Sequence, residues 1–379
     1  MFFTLIIISA DSYFKFERKA ADFLIDLNSI SSDKQVVIIG ITDEDYKNLF
    51  DSTSPLSPAV ITNLINAASK GEPKVLGIDL LTSDEIHRNY LPKESAFPIV
   101  WSEEAVKNER NEIQAYNGPL GGQQLLNNNY AALPEVPADT DGVYRLYQRA
   151  IDIKAESEKA HSTFAWKVYE LARPEEAKTK QADNQDYYLR FAGRKQQDQR
   201  TVIPASQILQ AFARNDIQEL KRLLKDKIVL LGAMFSDSRD RGVAPFGQIY
   251  GVEMNATIIE TELYGHPRKS ISARGRMLIN LLMMLLFTTN FSYFGINRKA
   301  IVIAMLGILV LGVFFSVGGY GYMSGASIML MIIVYASLTV LFKILSDRYK
   351  TTLSSFFDSI TSYVNERGWK RFISNSRKG

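Results

Sequence analysis

Between Met277 and Phe342 the chain carries only two charged residues, Arg298 and Lys299. A bilayer core about 30 Å thick needs roughly 20 apolar helical residues. The stretch "MLINLLMMLLFTTNFSYF" (277–294) meets that length. The uncharged stretch after it is broken by "GGYGYMSG" (318–325), a turn signal. Two further membrane helices are therefore expected, over 300–317 and 325–343. The N-terminal "MFFTLIIISA" is too short to span, and no basic residue precedes its apolar run as in a secretory signal. It fits the outer half of a first span or a segment at the interface; the expectation is a truncated span over 1–14.

Short-loop charge sets orientation. "GINRK" (295–299) and the tail after Phe342 are basic and are expected in the cytoplasm, while the uncharged "GGYGYMSG" is expected outside. The large polar part of the chain then lies outside. "HPRKSISARGR" (266–276) places four basic residues on that outer side, but large domains translocate largely regardless of charge. The expected location is a bacterial cytoplasmic membrane, crossed several times, with the large domain extracytoplasmic. The formal net charge of +3 gives no argument for a nucleic-acid partner. The absence of cysteine removes disulfides and thiolate metal sites.

The polar region opens with "SYFKFERKAADFLIDL" (12–27), apolar at helical spacing; a juxtamembrane helix and linker are expected over 15–33. "QVVIIGIT" (35–42), "KVLGIDLL" (74–81) and "FPIVWS" (97–102) read as buried strands. "SPAVITNLINAASKG" (57–71) reads as a helix, with Ser57 placed to cap it, Pro58 in its first turn and Gly71 at its end. Strand, helix, strand in that order predicts a parallel pair with a crossover helix. Residues 103–140 are less legible, and "DTDGVYRLYQRAIDI" (139–153) reads as a turn followed by a strand. Helices are expected over 161–172, 203–215, 217–226 and 251–265, and strands over 186–193 and in "KIVLLGAMFSDSRD" (227–240). The fold class is thus an α/β domain, roughly 34–266, with a mostly parallel sheet flanked by helices, plus a helical transmembrane region.

The order of these motifs resembles the type-two CHASE domain, an extracytoplasmic sensor found with cyclases, histidine kinases and serine/threonine kinases. "VVIIGITDEDYKNL" resembles that family's opening strand and acidic turn, and "KVLGIDLL" its second strand. "DTDGVYRLYQRAI" resembles its turn-and-arginine segment through Asp139, Asp141, Gly142 and Arg145. The closing block resembles it through Gly232, Asp240, Pro245, Gly251, Glu253 and Ala256. Three membrane spans after that block are also the family's arrangement. The resemblance implies a sensor; members commonly continue into a cytoplasmic cyclase or kinase, whereas here 34 residues follow Leu345.

Asp43, Asp79 and Asp240 each follow a predicted strand. In a parallel sheet the strand carboxyl ends share one edge, where open α/β folds bind ligands. With Arg145 they form the candidate ligand-binding cluster; the acids suit a divalent cation or a cationic ligand, since hard cations prefer oxygen. Aspartates also cap helices and stop loops, and Arg145 and Arg239 are available to pair with them. No cofactor or catalytic group is expected: His87, His161 and His266 lack metal spacing, and no nucleophile–base pair is legible.

In the tail, 344–379, Tyr349, Leu353, Phe356, Ile360 and Tyr363 follow a heptad seam. Seven basic residues between Arg348 and Lys378, with Trp369 and Phe372, equally fit a helix on an anionic membrane surface. The expected function is a membrane-anchored sensor that passes occupancy to a separate cytoplasmic or envelope protein, with oligomerisation through the membrane helices and tail. The alternative is a structural envelope protein that uses the domain for binding without signalling. Protease added to intact spheroplasts is expected to cut within 34–266. Protection there, with cleavage of the same residues in inside-out vesicles, would reverse the orientation.

Overall fold

The computed structural model describes Asp22, Ile25, Ser362 and residues 34–89, 95–109, 113–125, 127–139, 141–153, 160–191, 201–264 and 267–270. The expected membrane spans lie outside the described residues, as does the tail apart from Ser362. Among the described residues no helix is long and apolar enough to cross a membrane. The chain divides into two compact units, and the described residues belong to the one containing Arg18–Ser272, Ser362 excepted. Asp22 and Ile25 are helical, as the spacing of 12–27 predicts.

The centre of this unit is a six-stranded sheet. Its strands in chain order are β1 (Val36–Thr42), β2 (Val75–Asp79), β3 (Ile99–Ser102), β4 (Asn129–Ala132), β5 (Thr201–Pro204) and β6 (Ile228–Met234). They lie in the order β5-β1-β6-β2-β3-β4, and every pairing is parallel. The longer helices among the described residues are α1 (Asp43–Phe50), α2 (Pro58–Lys70), α3 (Phe164–Ala172), α4 (Pro174–Thr179), α5 (Ala205–Ala213), α6 (Ile217–Leu224) and α7 (Gly251–Tyr264).

The strands are apolar without interruption because both faces of the sheet are covered. Val36, Ile38, Val100 and Leu230 pack with Phe164 and Val168 of α3 and Val252 and Ile259 of α7. Their alternating neighbours Val37, Ile39, Ile78 and Leu231 pack with Leu64 of α2, Ile208 of α5 and Leu220 of α6. Each such fully buried aliphatic side chain contributes about 1.5–3 kcal/mol. Gly77 keeps α3 close to the sheet, since a Cβ there would lie 2.9 Å from Phe164 Cζ. Thr42 and Asp45 form a capping box at the start of α1. The buried Asp45 also accepts from the backbone N–H groups of Ala205 and Ser206, both at 3.1 Å, so one carboxylate closes the N-termini of α1 and α5.

Four details depart from the sequence reading. The first two strands are parallel but not adjacent: β6 lies between them, paired with both. Ser57 sits at the start of α2 but makes no side-chain cap there. Ile203 belongs to β5, with α5 starting at Ala205. Of 186–193, only Tyr187–Tyr188 is strand, in a small platform outside the main sheet.

That platform pairs Leu146–Tyr147 antiparallel with Tyr187–Tyr188, and Lys269 bridges antiparallel onto Tyr187. Ser270 N donates to Asp186 O at 2.7 Å. The platform is tied to α7 through Glu262, whose side chain is fully buried. Glu262 accepts from Arg149 Nε at 2.8 Å, Tyr147 OH at 2.6 Å and Lys180 Nζ at 3.2 Å. The Arg149 guanidinium lies 4.6 Å from the Trp166 ring centre and 4.3 Å from that of Tyr187. Burial opposes the Arg149 charge, but its bonds to Glu262 override burial and raise its pKa. Removing one partner of such a buried pair typically destabilises by 3–5 kcal/mol. Glu262→Ala should therefore lower the unfolding free energy by about 3–5 kcal/mol, read as a lower urea midpoint with an unchanged slope.

Candidate functional site

All six strands run the same way, so their carboxyl ends share one edge. Three neighbours, β1, β6 and β2, deliver Asp43, the loop 235–240 and Asp79 to it. Asp79 is the last residue of β2 and is buried at 8% exposure. Its Oδ1 accepts from Ser102 Oγ at 3.0 Å, at the end of β3. Its Oδ2 accepts from Asn255 Nδ2 at 2.8 Å, in α7. Both donors are neutral.

Asp240 reaches the same place from the loop after β6. Its carbonyl accepts from Gly251 N at 3.0 Å, at the first turn of α7. Gly251 has no side chain, and the Asp240 carboxyl fills the space a Cβ would need. α7 itself is seated close to the sheet, because a Cβ on Gly232 would overlap the side chain of Val252. In a helix the side chain at i+4 leans back over residue i. The Asn255 side chain thus runs towards Gly251 and the Asp240 carboxyl, with its amide held at Asp79. Asn255 is 2% exposed, and its Oδ1 has no hydrogen-bond partner.

Burial raises the pKa of Asp79 despite its two donors. Burial of the carboxyl, then the Asp79 charge, pushes Asp240 up to about 7, although the residue as a whole is open to solvent. Like charges brought together in a partly dry site resist double ionisation. Neither acid has a lysine, arginine or histidine partner among the described residues. Among the described residues no group of three or more His, Cys, Asp or Glu is placed to hold a metal ion. The oxygens gathered here are two carboxyls, one amide and one hydroxyl.

The structure thus joins Asp79 with Asp240 and gives Asp43 and Arg145 other duties. Asp43 lies at the same edge, where its carboxylate accepts from Ser236 N at 2.7 Å and pins the loop after β6. Arg145 bonds Asp22 at 2.7 Å, Asp141 at 2.9 Å and Asp139 at 3.1 Å, and is 3% exposed. Burial opposes its charge, but the bonds from Asp22 and Asp141 outweigh burial and raise its pKa. The reading of Asp139, Asp141 and Gly142 as a turn to which Arg145 reaches back holds: Gly142 has φ +77° and donates to Asp139 O at 2.8 Å. Arg239 stands exposed at φ +55°. His87 is buried against Leu56 O, and His161 Nε2 lies 2.5 Å from Glu103 Oε2; neither joins the acid pair. A cavity of about 410 Å³ lies at the opposite, amino edge, lined by Ile65, Ser69, Glu72, Pro73 and Phe97, and shares no residue with the pair.

Asn255 and Ser102 carry no sequence signal for this role. The spacing from Gly251 to Asn255 is one helical turn, but nothing in the sequence pairs that turn with Asp79 or Asp240.

The raised values give a sign for stability against pH. The folded protein holds protons that the unfolded chain releases near pH 4. The acids' stabilising contribution is complete below that pH and is lost as pH rises through about 7 for Asp240. Asp240→Asn should flatten the stability profile between about pH 4 and 7 and make the protein more stable above it. Solvent screening of this open residue limits the gain to about 1 kcal/mol. Thermal unfolding of both proteins across that range reads the difference.

A model of the CHASE2 domain family matches residues 1–293. Searches of curated proteins and of solved structures each return no significant match. The matched residues take in the whole six-stranded sheet, the Asp79–Asp240 pair and α7. The chain therefore belongs to the CHASE2 domain family, a family of sensor-type extracytoplasmic domains.

Proposed function

We propose that this domain is the sensing part of a multi-pass membrane protein. It binds a ligand or protein partner at the carboxyl edge of its sheet and passes occupancy to a separate cytoplasmic effector. The observation that carries the reading is the contact of both acids with α7, Asp240 against Gly251 and Asp79 at Asn255. A ligand there bears directly on α7, and α7 bears on the platform through Glu262, Tyr147 and Arg149. The platform holds Lys269 and Ser270, just before the apolar run that starts at Met277. Arg145, next to the platform strand Leu146–Tyr147, holds Asp22, just after the apolar N-terminal run.

A ligand shifts such a device only by its difference in affinity between two states. Coupling of this kind typically amounts to about 1–3 kcal/mol. On this reading the domain recognises and does not turn over a substrate. Crosslinking in native membranes, with the tail intact or deleted from Lys350, tests it. A specific cytoplasmic protein should be captured by the full chain and lost on deletion, and Asp240→Asn should change the yield with the tail intact. The same captures from all three proteins would refute transmission through this edge.

A further inference from the structure

We infer that Asp79, Asp240 and the Asn255 amide bind a hard divalent cation, Mg²⁺ or Ca²⁺, at the carboxyl edge of the sheet; this rests on the sensing role given to that edge. Hard cations take carboxylate, amide-carbonyl and water oxygens. The site supplies two carboxyls, and the buried Asn255 Oδ1 is an oxygen with no partner. A buried acceptor left unpaired is unfavourable, and native structures satisfy nearly all such atoms. Asn255 cannot satisfy it from its own helix, because its amide is already held at Asp79 through Nδ2.

The electrostatics points the same way. The Asp79 carboxyl meets only the neutral donors Ser102 Oγ and Asn255 Nδ2, and Asp240 lies close enough to feel its charge, with no cationic partner among the described residues. A divalent cation turns the repulsion between two neighbouring carboxyls into shared attraction to the metal. Mg²⁺ is commonly held by one or two carboxylates with water at its other positions, and the exposed side of Asp240 leaves room for water. Ca²⁺ needs more oxygens, and the Ser102 hydroxyl beside Asp79 is the nearest additional one. Asp43 is set apart from this group: its carboxylate is turned to Ser236 N and Oγ, and it shares no hydrogen-bond donor with Asp79.

The test is calorimetric titration of the whole chain in detergent with MgCl₂ and, separately, CaCl₂. Saturable binding at or below about 1 mM is expected for at least one of the two. Asp240→Asn and Asn255→Ala should each weaken it by about 10–100-fold or more. Glu72→Gln, at the opposite amino edge, should leave it within about twofold, since that residue shares no contact with the site. Asp79→Asn, which alters a buried group, is interpreted only with an unfolding curve showing a native fold; Asp240→Asn carries the test if it fails. No saturable binding of either ion up to about 10 mM, or unchanged binding in Asp240→Asn, overturns the proposal. A protein that binds no cation yet shows the tail-dependent and Asp240-dependent crosslinks keeps the sensing role and loses only this ligand. One that binds the cation with no such crosslinks keeps the site and loses the transmission.

Discussion

A parallel sheet has no simple way to expose a face. Each strand must be followed by a crossover, and the crossovers cover both sides. Here β1 and β6 are apolar on both faces because α3 and α7 lie on one and α2, α5 and α6 on the other. Polar chemistry is thereby confined to the two edges. At the carboxyl edge the chain turns from strand to loop or helix, and backbone groups and acids must both be satisfied there. Asp45 shows the structural solution: one carboxylate spends its oxygens on the caps of two helices. Asp79 differs in that its two oxygens meet only neutral donors, while the Asp240 carboxyl lies close enough to feel its charge.

The contrast with the other buried charges is instructive. Glu262 is wholly enclosed yet surrounded by Arg149, Lys180 and the Tyr147 hydroxyl. Arg145 is nearly as enclosed, yet faces three aspartates. Both networks are complete in themselves and act as fasteners. The acid pair is incomplete by the same accounting: its charges meet no cation among the described residues, and the buried Asn255 Oδ1 beside Asp79 has no hydrogen-bond partner, which is what supports the proposed recognition at this edge.

Most of the sheet was legible because continuous β-branched runs leave few alternatives. "VVIIGIT", "KVLGIDLL" and "KIVLLGAM" each hold a central strand. The insertion of β6 between β1 and β2 was not legible, since the partner is far off in sequence and each strand is apolar on both faces. "DYYLRFAG" suggested a longer strand than exists: Tyr187 and Tyr188 pair with a two-residue strand, and Arg190 N turns to Thr261 Oγ1 instead of a ladder. At the site, Asp43, Asp79 and Asp240 could be found because each follows an apolar run that reads as a strand. Their division of labour could not. Asp43 is claimed by Ser236 and Arg145 by Asp22, through contacts 193 and 123 residues apart in the chain.

The small platform has a mechanical consequence. It receives Lys269 and Ser270 directly and adjoins the Arg145–Asp22 link, so the two ends of the domain are yoked to one short ladder. Segments yoked in this way share load. Asp22, held by Arg145, and Ser270, held by Asp186, are thereby fixed at neighbouring points beside one two-residue ladder.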